Sequence, residues 1–290
     1  MLETLRMSFA EWLEDAPFEI APKLYRVSMP VLEGLPDDSL PWAQLTDFQA
    51  FFSTAEQCLA VLQKLPNIIL FEVAINAPNL GPLNCPLLRL QHLEWLKITA
   101  DHDISCFQEF LDLPSLTSYV CVERAPAARW TSASFLSLIS RSSCHLEEFE
   151  VLLTQAIDVD DMALLLQSLP DLRHLDFQCN PISGINSNNV QKLLTRSTAP
   201  FLVPRLECLL LDYDEDFDFQ QFIAMIESHR VENSMEERMP AAEKGHLNSV
   251  EIYNFDIESE EGNDCDLMTR LGELLPKAGV ALTFIAGKRY

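Results

Sequence analysis

Metal binding and nucleophilic catalysis draw on histidine, cysteine and carboxylate, so the spacing of those residues decides what chemistry is open to a chain. This one has six histidines and eight cysteines. His92, His102, His145, His174, His229 and His246 form no H-E-x-x-H pair that would place two zinc ligands on one helix face. Cys58, Cys85, Cys106, Cys121, Cys144, Cys179, Cys208 and Cys265 lie far apart with no C-x-x-C. Cys144 and His145 are neighbours in sequence, and neighbours on a strand point to opposite faces, so they are no nucleophile–base pair. His102 stands between Asp101 and Asp103, a spacing that a solvated loop explains more simply than a metal ion does. Eight glycines give neither G-x-G-x-x-G nor a phosphate loop. No enzyme, metal or cofactor is expected.

Carboxylates are the abundant group. Lys plus Arg number 20 and Asp plus Glu 44, a formal charge of −24 over 290 residues. A grip on DNA, RNA or anionic lipid needs clustered cations, so nucleic acid and membrane surfaces are excluded as partners. Two acidic runs stand out, Asp212 to Asp218 and Asp256 to Asp266. Neither has the glycine and distal glutamate of a calcium loop. Both read as solvated insertions, with a basic partner as their functional alternative. No apolar run approaches the roughly 18 residues of a membrane span, and the N-terminus lacks a signal peptide's basic and apolar regions. With cysteines dispersed as reduced thiols, the expected compartment is cytoplasmic or nuclear.

The elements that must position these residues show in one recurring pattern: leucine or isoleucine, two residues, apolar, one residue, apolar. It runs from Leu2-Leu5-Met7 through Leu24-Val27-Met29, Leu45-Phe48-Ala50, Ile68-Phe71-Val73, Leu93-Leu96-Ile98 and Leu116-Tyr119-Cys121. It continues through Leu146-Phe149-Val151, Leu172-Leu175-Phe177, Leu206-Leu209-Leu211 and Leu247-Val250-Ile252. Early spacings of 21 to 25 residues match leucine-rich repeats, and later ones of up to 41 carry insertions. The closing apolar–x–apolar alternation is that of a half-buried strand. Between patterns lie helix signals, a capping residue followed by a 3.6-period stripe, opening at Ser53/Thr54, Thr131/Ser132, Asp160, Ser187 and Asp218. Prolines such as Pro66, Pro114, Pro170 and Pro204 then lead into the next strand. Strand, helix and turn in this order predict an α/β leucine-rich-repeat solenoid, a curved right-handed αβ repeat with parallel strands on the concave face and helices on the convex one. The expectation is a single irregular domain over 1–290 of about ten repeats, with an acidic insertion at 256–266 and a capping helix and strand within 267–290.

The unit from Trp130 to Phe149 (WTSASFLSLISRSSCHLEEF) carries a resemblance, together with Leu40–Thr46, Ser53–Leu59 and Leu193–Pro200 leading to Pro204-Arg205-Leu206. These stretches resemble the leucine-rich-repeat region of the large fungal F-box protein family, above all that of mushroom-forming fungi. The resemblance implies a substrate receptor of a ubiquitin ligase, whose F-box docks the ligase adaptor while the repeats hold the substrate. The first pattern begins at residue 2, which leaves adaptor docking without its usual element. A stand-alone acidic regulator or inhibitor that binds a basic protein is the alternative.

Repeat geometry places a partner on the concave face, at the outward positions beside the second apolar residue of each pattern. These include Leu70 and Glu72, Trp95 and Lys97, Val120, Glu148 and Glu150, and His174 and Asp176. Leu70, Trp95 and Val120 are expected to adjoin as an apolar centre, since an outward tryptophan is a common interface anchor. Glu148, Glu150 and Asp176 are expected to follow as an acidic stretch suited to a basic protein.

Overall fold

An extended segment whose apolar residues alternate can bury only one face, and a parallel partner on each side then completes its backbone hydrogen bonds. A computed structural model of the protein, which describes residues 2–7, 21–29, 40–78, 85–125, 131–154, 157–179, 187–195, 202–213, 217–229, 247–253, 271–276 and 278–285, is built on this principle. The chain divides into two compact units, Met1–His145 and Leu146–Tyr290. Both are α/β.

In the first unit β1 (Thr4–Arg6), β2 (Arg26–Met29), β3 (Asp47–Phe52), β4 (Leu70–Ile75), β6 (Trp95–Ala100) and β8 (Ser118–Glu123) lie side by side, each parallel to the next. A 3-10 turn at Trp42–Gln44 and the helices α1 (Ala55–Leu62), α2 (Ser105–Glu109) and α3 (Ser132–Ser142) occupy the connections. A short parallel pair, β5 (Leu88–Arg89) with β7 (Leu111–Asp112), runs apart from the main sheet. The apolar pattern fixes the register. Leu5, Val27, Phe48, Phe71, Leu96 and Tyr119 face one another row by row. All but Leu5, on the edge strand, are at most 2% exposed. Phe48 and Phe71 stack with centroids 6.1 Å apart.

The second unit repeats the plan. β9 (Glu148–Leu153), β10 (His174–Cys179), β11 (Cys208–Asp212), β12 (Ser249–Tyr253) and β13 (Ala281–Ile285) form a parallel run. The helices α4 (Val159–Gln167), α5 (Ser187–Leu194), α6 (Phe219–His229) and one at 271–276 lie between them. Phe149, Leu175, Leu209, Val250 and Leu282 share one row. Each of the ten apolar patterns thus has its middle apolar residue on a strand, and β13 adds another strand.

Local chemistry sets the helix ends. Thr54 Oγ1 accepts from Gln57 N while Gln57 Oε1 accepts from Thr54 N, a reciprocal box that opens α1. Thr131 Oγ1 accepts from Ser134 N at the start of α3, which ends at Ser143 with φ 49°. α4 opens two residues earlier than the Asp160 signal suggests. Asp158 is the cap, its Oδ1 accepting from Asp160 N at 2.8 Å, and Asp160 and Asp161 sit in the first turn, where the helix dipole favours carboxylates. α2 has no counterpart in the sequence reading, and Asp103 Oδ1 accepts from Ser105 N at its start. The turns that precede the strands are also tied to their predecessors: Asn67 Nδ2 donates to Ala43 O and Ser115 Oγ to Gln91 O. The 256–266 insertion lies outside the described residues.

Behind β8 a polar network joins two helices to the sheet. Gln108 Nε2 donates to Tyr119 Oη at 2.6 Å, and Ser134 Oγ donates to Gln108 Oε1 at 2.7 Å. Arg141 of α3 donates to Gln108 O near the end of α2 and to Leu111 O in β7, both at 2.8 Å. Gln108 and Tyr119 are fully buried, so a partner lost here is not replaced by water. Tyr119→Phe is expected to destabilise the protein by about 1–3 kcal/mol, the cost of an orphaned buried donor, measured by urea unfolding; a loss under ~0.5 kcal/mol would show that the network contributes little.

Candidate functional site

Because β-residues alternate, burying the apolar rows forces the intervening residues into rows on the opposite face. In the first unit those rows line an open groove of about 200 Å³ made by Arg6, Arg26, Ser28, Asp47, Gln49, Leu70, Glu72 and Trp95, with Val27 and Phe48. Leu70 and Trp95 are direct cross-strand partners, and both are half-buried. Glu72 faces Lys97, with Oε1 3.2 Å from Nζ.

Val120 falls elsewhere than expected. It pairs with Lys97, while Ser118 takes the place across from Trp95. Val120 is only 7% exposed, so it adds no open apolar surface beside the tryptophan. The apolar centre is therefore Leu70 with Trp95 alone.

The first strands add their own outward residues, Arg26, Ser28, Asp47 and Gln49, to the same groove. Arg26 grips Asp47 Oδ1 through Nε at 3.1 Å and Nη2 at 2.7 Å, and this hydrogen bond, followed by the charge of Asp47, raises the Arg26 pKa. Thr46 Oγ1 donates to the other carboxylate oxygen of Asp47. Ser28 Oγ donates to Gln49 Oε1 at 2.8 Å. Arg6 is exposed and forms no hydrogen bond or ion pair among the described residues. Extending the outward-position rule back to the first pattern places Arg6 on this face.

In the second unit Glu148 and Cys208 flank His174 on neighbouring strands, and Glu150 and Leu210 flank Asp176. With Glu251 across from Leu210 the same face gains a further carboxylate. Glu148 is exposed, and Glu150 and His174 are half-buried. Asp176 departs from the expectation of an open acidic position. It is fully buried, and its Oδ1 accepts from Gln178 Nε2 at 3.2 Å. The acidic run at 212–218 is also partly structural. Phe217 is buried edge-on to Phe219, and Asp218 Oδ1 accepts from Gln221 N at the start of α6; residues 214–216 lie outside the described residues.

The thiols have little nucleophilic character where their surroundings are most apolar. Burial pushes the Cys58 and Cys121 thiols well up, and that of Cys144 up to about 11, which keeps it protonated beside His145 near neutral pH. Among the described residues no group of three or more His, Cys, Asp or Glu is placed to hold a metal ion, and no helix is long and apolar enough to cross a membrane. No family model matches the chain, and no curated protein is significantly similar to it.

The His174 pKa lies above its ordinary value. Its cross-strand neighbour Cys208 raises it most, burial opposes the rise, and the charges of Asp176 and Glu148 add to it. The stabilisation that follows is complete below about pH 6.5 and is lost as the pH climbs through the folded-state midpoint. NMR titration is expected to give a His174 midpoint above that of a free histidine, and Cys208→Ala should lower it. A midpoint that Cys208→Ala leaves in place would remove the thiol as the main cause.

Proposed function

We propose that this chain is a non-enzymatic protein-binding module of leucine-rich-repeat architecture, working in the cytoplasm or nucleus as the substrate-holding region of an F-box-type ubiquitin-ligase receptor. The repeat architecture is supported by the apolar pattern, which recurs on strand after strand at one register row within each unit. The receptor role is supported by the resemblance of Trp130–Phe149 and its companion stretches to fungal F-box proteins. The observation that carries the binding role is a half-buried tryptophan, Trp95, beside Leu70 in an open groove on the strand face. Aromatic anchors in a groove with a polar surround are typical of interface hot spots.

Affinity purification from the source cells, followed by mass spectrometry, is expected to yield partners whose binding Trp95→Ala weakens about thirtyfold, the effect of removing a hot spot of about 2 kcal/mol. Deleting the gene should then lengthen the half-life of those partners. Partners retained by Trp95→Ala would sink the groove as the binding site; partners lost but unchanged in half-life would sink the ligase role and leave the binding role standing.

A second reading has its own observation. The outward strand positions of the second unit bring Glu148, Glu150 and Glu251 onto one face with no Lys or Arg at the described positions, while Asp176 lies buried beneath it. Such a face suits a basic protein, as a stand-alone acidic regulator would require. Glu148→Lys with Glu150→Lys should then slow association with a basic partner and flatten its salt dependence in stopped-flow measurements. An unchanged salt slope would exclude this face.

A further inference from the structure

We propose that the groove of the first unit takes an extended peptide of about six residues with an apolar side chain at one end and a carboxylate at the other, the length following from strand spacing and residue rise. The inference rests on the protein-binding reading above and specifies the chemistry of the partner.

Charge is the first argument. The groove and its border hold three cations, Arg6, Arg26 and Lys97, and two carboxylates, Asp47 and Glu72. Both carboxylates are already engaged. Asp47 is gripped by Arg26 and accepts from Thr46, and Glu72 is bridged to Lys97. Among the described residues a basic peptide would find no free anion in the groove. Arg6 is the cation left over, exposed and without a partner among the described residues. The groove thus has a local balance opposite in sign to the −24 of the whole chain. At physiological salt, charges more than about 8 Å away are largely screened, so the local balance decides what docks.

Position is the second argument. Trp95 and Leu70 mark the apolar end. Beside Trp95 on the next strand, Ser118 is buried, so the apolar end of the groove closes at that strand. Arg6 marks the other end, four strand steps away in the order β1, β2, β3, β4, β6. Four steps at 4.8 Å span about 19 Å, which about six residues of extended chain cover at ~3.3 Å each. Midway, Gln49 uses its Oε1 to accept from Ser28, which leaves its Nε2 to donate to a peptide carbonyl.

The test is selection of a phage-displayed random octapeptide library on the full chain, in parallel with Arg6→Glu and Trp95→Ala chains checked for unchanged circular dichroism. The expected result is enrichment of peptides with an aromatic or aliphatic residue about five positions from Asp or Glu. On Arg6→Glu the acidic preference should vanish or invert to Lys and Arg while the apolar preference stays. On Trp95→Ala the apolar preference should be lost. A synthetic copy of a selected peptide should bind about three- to fivefold more weakly when its acid is replaced by the amide, the size an exposed ion pair supports. Enrichment without an acidic preference, or one that survives Arg6→Glu, would overturn this inference and leave the binding role intact. No enrichment on the unaltered chain would overturn both.

Discussion

A parallel strand cannot complete its own backbone. Its N–H and C=O groups reach only the strands beside it, and the chain must cross over and return before the next one can pair. In this protein the return is set by a single requirement, that the middle apolar residue of each strand lands level with that of the last. Val27, Phe48, Phe71, Leu96 and Tyr119 meet it in the first unit, and Phe149, Leu175, Leu209 and Val250 in the second, all of them at most 2% exposed. A slip of one residue would turn every apolar side chain outward. The register is therefore over-determined, and the opposite face inherits it. Arg26 meets Asp47, and Glu72 meets Lys97, because Val27 meets Phe48 and Phe71 meets Leu96.

That dependence explains what was legible in the amino-acid sequence. Period-two alternation beside a fixed leucine is a strong signal, and the strands lie where it falls. Helix α1 was legible through Thr54 and Gln57, whose reciprocal bonds need only the right spacing. The start of α4 was less so, because Asp158, Asp160 and Asp161 are all fit to cap, and only the backbone turn at Asp158 chooses among them. α2 spans only Ser105–Glu109, too short to show a helical stripe.

The site was legible by position and illegible by environment. Counting from the leading leucine puts Ser118, not Val120, beside Trp95. Asp176 is different. Its outward place follows from the pattern, yet its complete burial and its bond from Gln178 depend on what surrounds it in three dimensions, which spacing does not encode. Arg6 takes its outward place by the same count applied to β1, level with Ser28.

Net charge deserves the same distinction between a sum and its arrangement. A formal −24 says that cations are scarce, and scarcity makes their placement more consequential. In the first unit Arg26 and Lys97 are spent on Asp47 and Glu72, pairs that lie partly exposed and contribute little to stability. Their effect is to cancel the carboxylates of the groove, so that among the described residues the charge still unmatched there is that of Arg6. In the second unit the described outward strand positions hold carboxylates without Lys or Arg, and His174 sits among them, its pKa raised first by Cys208 and further by Asp176 and Glu148. One composition therefore yields two chemically different faces. Because the apolar rows fix which side chains become neighbours, changing the partner of either face requires changing only its outward residues, and the core that presents them can stay as it is.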